Sequence, residues 1–454
     1  MTSETSPGAG RKVPERVAIA LEDWRPLRWV GRIQQMMDGV MVSDGPPCAV
    51  GDVLRVIGAD SDEGLAMVVG LDGGRVRSML LTADVRVTPD TRLRPTRLRR
   101  LTAPAGPGLF GRVVDAFGHP LDGKGPLGQV ETVVLASTPP PALSRRPLTA
   151  PFYSGVTGID ALFPLAQGQR VGLFSGSGVG KSTLLAMMVR NTPSADRAVV
   201  CLVGERGREV ADFVQDTLGE EGLTRAVVVV ATSDQPAPAR ILAAEYATRI
   251  AEWFRAQGES VLLIMDSLTR YAMALREVGL AAGELPVARG YPPSVFAALP
   301  RLLERAGSDQ KGAITAIYTV LVEGDDMQEP IADATRATLD GHIVLSRELA
   351  ARGHYPAIDP MASISRLADH VAGVQTRQLT QRFLQLWAAY ENHADLIRLG
   401  AYVPGSDSVL DEAVRLRPAL ESALRQNLWD PRCQDAEDIV RAAVGGGEAF
   451  DADS

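Results

Sequence analysis

Val171-Gly-Leu-Phe-Ser-Gly-Ser-Gly-Val-Gly-Lys-Ser-Thr183 decides how this chain is read. An apolar run of strand character meets a glycine-rich turn, then Lys181-Ser182, then an apolar run from Leu184 to Val189 of helical character. Strand, loop and helix in that order form a phosphate-binding loop. Backbone N–H groups must turn inward around phosphate oxygens there, and Gly176, Gly178 and Gly180 permit the backbone angles and close approach that this needs. Ser175, Gly176, Ser177, Gly178, Val179, Gly180, Lys181, Ser182 and Thr183 are therefore the expected nucleotide-binding segment. Lys181 is expected to reach the β- and γ-phosphates and Ser182 to ligate Mg²⁺, while the helix beginning near Ser182 points its positive end at the same anion. One position departs from the strict pattern: Ser175 stands where a glycine is usual.

A loop that binds phosphate does not name a reaction, so its partners must. Val261-Leu-Leu-Ile-Met-Asp266 is an apolar strand ending in an acid, two strand–helix units downstream, as a magnesium-orienting Walker B strand requires. Asp266 joins Ser182 as an expected metal contact. The strand ending at Val203 runs into Gly204-Glu-Arg-Gly-Arg-Glu209. Ligands of a parallel sheet sit at the carboxyl ends of its strands, so Glu205 and Asp266 should converge on the loop. Glu205 is then the candidate that polarises water for in-line attack on the γ-phosphate. Asp359-Pro-Met-Ala-Ser-Ile-Ser-Arg366 ends in an arginine after a short polar turn. An arginine supplied by a neighbouring subunit neutralises charge developing on a transferring phosphoryl group, a role that spacing alone does not assign.

Around this centre the chain of 454 residues divides into four stretches. Residues 1–28 read as a flexible start, either a frayed tail or a docking segment. Residues 29–93 carry short β-like runs (Val30 to Ile33, Gly39 to Val42, Val53 to Ile57, Ala66 to Gly70, Val76 to Leu81) broken by turn signals, which predicts a small closed barrel. Residues 94–370 form the stretch that carries the phosphate loop, opening within a basic run (Arg92 to Arg100) that is followed by a Pro/Gly-rich linker (Ala103 to Gly108). The basic run suits either a solvated face between domains or contact with anionic lipid or RNA. Val171 to Phe174, Ala198 to Val203, Ala226 to Ala231, Val261 to Met265, Ala313 to Val320 and His342 to Leu345 alternate with helical segments such as Arg240 to Arg255, the rhythm of a parallel sheet. Residues 371–454 are expected to be helical, with amphipathic runs at Gln378 to Tyr390 and Ser408 to Gln426 and a small acidic tail from Gly445.

Composition narrows the class. Lys plus Arg is 47 and Asp plus Glu is 55, a net charge of −8, which argues against nucleic acid as the main partner. Cys48, Cys201 and Cys433 are widely spaced, which predicts neither a disulfide framework nor a metal site. No apolar run approaches the ~20 residues of a membrane-spanning helix, and the start lacks a secretion signal. A cytoplasmic protein is expected, with any membrane contact peripheral.

These segments together resemble the catalytic subunits of the rotary ATPases, and among them the flagellar type III protein export ATPases. The matching pieces are Tyr153-Ser-Gly-Val-Thr-Gly-Ile-Asp-Ala-Leu-Phe-Pro164, the phosphate loop, Gly204 to Glu209, Asp266-Ser-Leu-Thr-Arg-Tyr271 and Glu323-Gly-Asp-Asp326. Leu339-Asp-Gly-His-Ile-Val-Leu-Ser-Arg347, His354-Tyr-Pro-Ala-Ile-Asp359 and Ser363-Ile-Ser-Arg366 complete the set. The resemblance implies an α/β, RecA-like P-loop core with a parallel sheet, preceded by a small N-terminal β-barrel and followed by a C-terminal helical domain. It implies Lys181, Glu205, Arg206 and Arg366 as the catalytic set, with Arg366 the finger reaching into a neighbour's site, and Tyr355 as the aromatic that packs on adenine. ATP and Mg²⁺ are the implied cofactors. One chain that carries both Glu205 and Arg366 can build every site of a homohexamer. The implied partners are stator and stalk proteins of the export apparatus and chaperone–substrate complexes, at the cytoplasmic face of the inner membrane. A virulence-type secretion ATPase would use identical chemistry. An ATP synthase catalytic subunit usually has glycine in place of Ser175. For an RNA translocase only the Arg92 to Arg100 cluster speaks, against the net charge and an aromatic content of 5%.

Overall fold

The computed structural model describes residues 29–430 and 436–445, apart from 38, 59–62, 84, 97–100, 323 and 325. The expected flexible start, the end of the basic run, Glu323 and Asp325 of the Glu-Gly-Asp-Asp segment, and the acidic tail beyond Gly445 lie outside the described residues.

The chain first folds into a barrel. Strands β1 (Gly31–Met37), β2 (Val40–Ser43), β3 (Val53–Ile57), β4 (Glu63–Asp72), β5 (Arg75–Leu80) and β6 (Arg92–Pro95) close antiparallel in the order β1-β2-β5-β4-β3-β6. Met41, Leu54, Val56, Ala66, Val68, Val76 and Leu93 fill it. Part of the basic run is therefore not a free face: Arg92–Pro95 is the strand that shuts the barrel, paired to β1 on one side and β3 on the other. Its arginines disguise it, because only Leu93 points inward from so short a strand. The Pro/Gly-rich linker is corrected too. Thr102–Ala105 pairs antiparallel with Glu131–Val134, a two-strand setting in which the missing N–H of Pro104 is tolerated.

The main sheet explains where the site must be. Strands β7 (Val113–Val114), β8 (Arg170–Ser175), β9 (Arg197–Val203), β10 (Ala226–Ala231), β11 (Ser260–Asp266), β12 (Ala313–Leu321), β13 (Gly341–Leu345) and β14 (Ile364–Ser365) lie in the order β14-β13-β8-β12-β11-β9-β10-β7. All neighbours are parallel except β14, which runs against β13. The near-continuous Val, Ile and Leu runs are what a sheet covered on both faces needs. Their alternation assigns the faces: Val200, Leu202, Val228, Leu262 and Ile264 pack with Leu184, Leu185 and Met188 of helix α1 (Lys181–Asn191). Val199, Cys201, Val229, Leu263 and Met265 pack on the other face with Leu242, Tyr246 and Ile250 of helix α2 (Ala237–Ala256).

The C-terminal region is helical among the described residues, with α4 (Val374–Asn392), α5 (Ser408–Leu424) and α6 (Ala436–Ala443) following α3 (Leu268–Ala282). Asp407 caps α5 by accepting from Val409 N (2.8 Å) and Leu410 N (3.2 Å). Arg417 of α5 stacks 3.9 Å over Trp387 of α4 and is held by Glu391 and Glu421 at 2.7 Å each. A desolvated cation–π contact of this kind contributes about 2 kcal/mol. Leu379, Phe383, Leu420 and Leu424 share one apolar cluster with Leu162 and Leu184, so the helices continue the core beneath the phosphate loop.

Candidate active site

Two glycines of the phosphate loop sit where other residues are strained: Gly178 has φ 78° and Gly180 φ 87°. A Cβ on Gly176 would lie 2.6 Å from the Arg347 guanidinium, and one on Gly180 3.2 Å from the Tyr355 ring. Val179 anchors the loop in the core, whereas Ser177, Gly178, Ser182 and Thr183 face outward. Helix α1 begins at this loop with no side-chain cap, which leaves its first N–H groups and its positive end for an anion. The Ser175 hydroxyl is buried with no hydrogen-bond partner among the described residues. Serine in place of the usual glycine is thus accommodated inside the strand end rather than in the cradle.

The strand order delivers the other groups. β12 separates the loop strand from β11, and β9 follows, so the carboxyl ends of β8, β11 and β9 surround one spot. Lys181 Nζ contacts Asp266 Oδ1 and lies 3.6 Å from Glu205 Oε1. All three side chains are largely buried, at 13%, 4% and 12% exposure for Lys181, Asp266 and Glu205. Thr319 on the intervening β12 donates from Oγ1 to Asp266 Oδ1 at 2.7 Å and fixes that carboxylate. Thr319 was not among the expected site residues. The signal available was a hydroxyl in the middle of an apolar strand.

Electrostatics separate the two acids. Burial raises the pKa of Glu205 to about 7; Lys181 opposes this, while Asp266 and a hydrogen bond with Glu209 add to it. A carboxyl poised near neutrality, beside a lysine at a phosphate loop, suits proton transfer from water. Arg270, in the first turn of α3, packs against Gly204 and adds positive charge near Glu205.

Not every expected residue gathers here. Arg206 is 78% exposed and pairs with Glu209 at 3.5 Å, away from Lys181. Tyr355 lies against the loop at 45% exposure, and its carbonyl accepts from Gln426 N at 3.1 Å. Arg366 lies at the other end of the sheet. Its N–H donates to Asp340 O (3.0 Å), and Asp340 N donates to Arg170 O (2.9 Å), which places it beside the amino end of β8. From Arg170 to Ser175 the strand climbs roughly 16 Å at about 3.3 Å per residue, farther than an arginine side chain extends. Arg366 cannot serve the loop of its own chain.

The residues fit a magnesium nucleotide. Among the described residues no three His, Cys, Asp or Glu side chains cluster as a metal cage. An ion held by one or two protein oxygens plus phosphate and water needs no such cage, and the candidates to hold it are the exposed Ser182 hydroxyl at the loop and the Asp266 carboxylate at the end of β11.

The chain is similar to known ATPases over most of its length. Residues 155–365 match the ATP synthase alpha/beta family, nucleotide-binding domain, and residues 373–440 match the T3SS EscN ATPase C-terminal domain. The chain is 48% identical over 430 residues to the flagellum-specific ATP synthase of Treponema pallidum, covering 94% of this chain and 96% of that one. It is 48% identical over 400 residues to the SPI-2 type 3 secretion system ATPase of Salmonella typhimurium, covering 88% and 91%. Among solved structures it is similar to the assembled ATPase EscN of enteropathogenic E. coli, with a TM-score of 0.84, 40% identity and coverage of 91% of this chain and 100% of that one. A second structure, of EscN with its central stalk EscO, matches with a TM-score of 0.83 at the same identity and coverage.

Proposed function

The chain is a P-loop ATPase that belongs to the family of flagellum-specific ATP synthases and type III secretion ATPases, and from that premise we propose that it hydrolyses ATP to energise flagellar protein export. The working form in this reading is a ring of six identical subunits with a catalytic site at each subunit boundary. The observation that carries it is the placement of Lys181, Glu205 and Asp266 at one end of the sheet and Arg366 at the other.

Magnesium, when bound, would neutralise the β- and γ-phosphate oxygens, held by Ser182 and Asp266. Lys181 would leave Asp266 for the phosphates as nucleotide enters. Glu205 would take the proton from the attacking water, and the neighbouring subunit's finger residue, Arg366, would balance the charge that builds on the phosphoryl group. Tyr355, beside Gly180, is assigned to the adenine. Arg206 is assigned a role only where a neighbouring subunit covers it.

Replacing Lys181 with alanine tests the loop. Hydrolysis should fall by a factor on the order of 10²–10³, the usual cost of losing one preorganised donor to developing charge. Circular dichroism should remain that of a folded chain, with a lower melting temperature, since Lys181 is the cation beside the buried Asp266 and Glu205 carboxylates. Turnover at the parent rate would remove the loop from the mechanism.

A pH profile tests Glu205 separately. The base acts ionised, so kcat/KM should climb with unit slope on a logarithmic scale as pH rises toward about 7 and level off above it. A profile already flat from pH 5 upward, in excess magnesium, would contradict the assignment.

A stalk protein is proposed as a partner because EscN has been solved with its central stalk EscO, while a stator and chaperone–substrate complexes are proposed from the sequence resemblance alone. No described helix is long and apolar enough to cross a membrane, and attachment to the cytoplasmic face of the inner membrane is proposed as peripheral. The match to the Salmonella secretion ATPase keeps one second reading, an injectisome ATPase. Proteins captured with the tagged chain from its own cells decide between them: rod and hook components support the flagellar role, and injectisome components overturn it.

A further inference from the structure

An arginine finger works only if its backbone is held to the accuracy of the reaction, because a displacement of about 1 Å at a catalytic group costs roughly 10²-fold in rate. What holds the backbone of Arg366 is a polar clamp at the amino end of β8, the strand whose other end is the phosphate loop. Gln169, the residue before β8, is fully buried. Its Oε1 accepts from Ala166 N (2.8 Å), and its Nε2 donates to Asp340 O (3.0 Å) and Ser365 Oγ (3.2 Å). The same Asp340 carbonyl accepts the Arg366 N–H at 3.0 Å, and Ser365 Oγ donates to Pro164 O at 2.8 Å. One amide thus grips the residue before the finger and the carbonyl that holds the finger.

Arg170 secures the other side of the clamp. Its backbone N and its Nε each reach Asp340 Oδ2 at 3.0 Å, and its Nη2 reaches Oδ1 at 3.2 Å, while its Nη1 pairs with Glu304. Asp340 is therefore fixed through side chain and backbone at once. By contrast the Arg366 side chain is exposed, and among the described residues its hydrogen bond is Nη2 to Arg336 O at 3.2 Å. The backbone of the group that would reach across the subunit boundary is ordered before a neighbour arrives, and the neighbour's site is left to fix the guanidinium.

We propose that Gln169 and Asp340 are positioning residues for the Arg366 finger, acting on the neighbouring subunit's site and not on the loop of their own chain. The inference rests on the reading of Arg366 as acting in trans. Gln169→Glu keeps the acceptor for Ala166 N but turns an oxygen toward the Asp340 carbonyl in place of a donor. Rings of this variant should bind ATP as the parent does and lose about 10–100-fold in kcat.

Mixed rings distinguish positioning from general damage. Each site takes a loop from one subunit and a finger from the next. Combined with Lys181→Ala subunits, which have a dead loop and an intact finger, Gln169→Glu subunits should regain turnover, because their own loops then meet good fingers. Combined with Arg366→Ala subunits they should regain nothing, since no good finger is present. The opposite pattern, recovery with Arg366→Ala and none with Lys181→Ala, would place the defect in the Gln169→Glu subunit's own loop and overturn the proposal. A reference mixture of Lys181→Ala with Arg366→Ala must recover activity; its failure would strike the trans reading itself and the clamp with it. Where Gln169→Glu does not fold, Ser365→Ala removes a single hydroxyl of the clamp and carries the same test.

Discussion

Arg366→Ala should assemble and bind ATP as the parent chain does, and hydrolyse it some 10³–10⁵-fold more slowly, the range in which an arginine finger contributes. The loss should fall in kcat rather than in affinity, because the group meets charge that exists only in the transition state. The geometry makes a second demand. Arg366 stands by the amino end of β8, and the loop begins at its carboxyl end, so a lone subunit lacks a finger however well it folds. Activity per chain in the parent protein should consequently rise with concentration as subunits associate, and the Arg366→Ala protein should show no such rise. Full turnover by dilute monomer would end both the finger assignment and the argument for catalysis at a subunit boundary.

Glu205→Gln should retain nucleotide and lose turnover by a factor on the order of 10²–10⁴, the usual contribution of general base catalysis. Glutamine keeps the shape and a hydrogen bond, and removes only the site that accepts the proton. Because Glu205 lies 3.6 Å from Lys181, its charge also bears on the lysine, and the neutral variant should bind ATP no more weakly than the parent. The acid limb of the pH profile should vanish with the residue, since the group whose pKa is raised to about 7 is gone. Collapse of affinity with kcat preserved would make Glu205 a binding residue, and the water-activating role would have to move elsewhere.

The parts of this site legible in the sequence are those written in consecutive residues. A loop of three glycines before Lys181-Ser182 needs no tertiary knowledge, since two of those glycines carry positive φ for reasons internal to the loop. An apolar run ending in Asp266 announces itself in the same way. The parallel sheet was readable because both faces are covered, which makes its strands apolar throughout. Arg92–Pro95 escaped because a four-residue strand with one inward side chain has no period to read, and Thr102–Ala105 because its proline and small residues imitate a linker. α6, Ala436–Ala443, falls within the stretch expected to be helical but was not singled out as a run of its own, because its eight residues are too few for a clear period. The rise of the Glu205 pKa depends on burial, and the grip of Gln169 on Asp340 joins residues 171 apart in the chain. Neither has a local signature.

If Arg366 is the finger, loop and finger at opposite ends of one sheet give every chain two half-sites that face away from each other. An open string of subunits therefore always leaves one loop and one finger idle at its tips, however long it grows. A pair has one working boundary shared by two chains; a longer string approaches one boundary per chain and never attains it; closing the string completes the last boundary without adding a subunit. On the proposed trans reading, hydrolysis per chain would be a count of closed boundaries. Stray subunits and broken rings should then spend little ATP, and consumption should reach its ceiling only where the circle is shut.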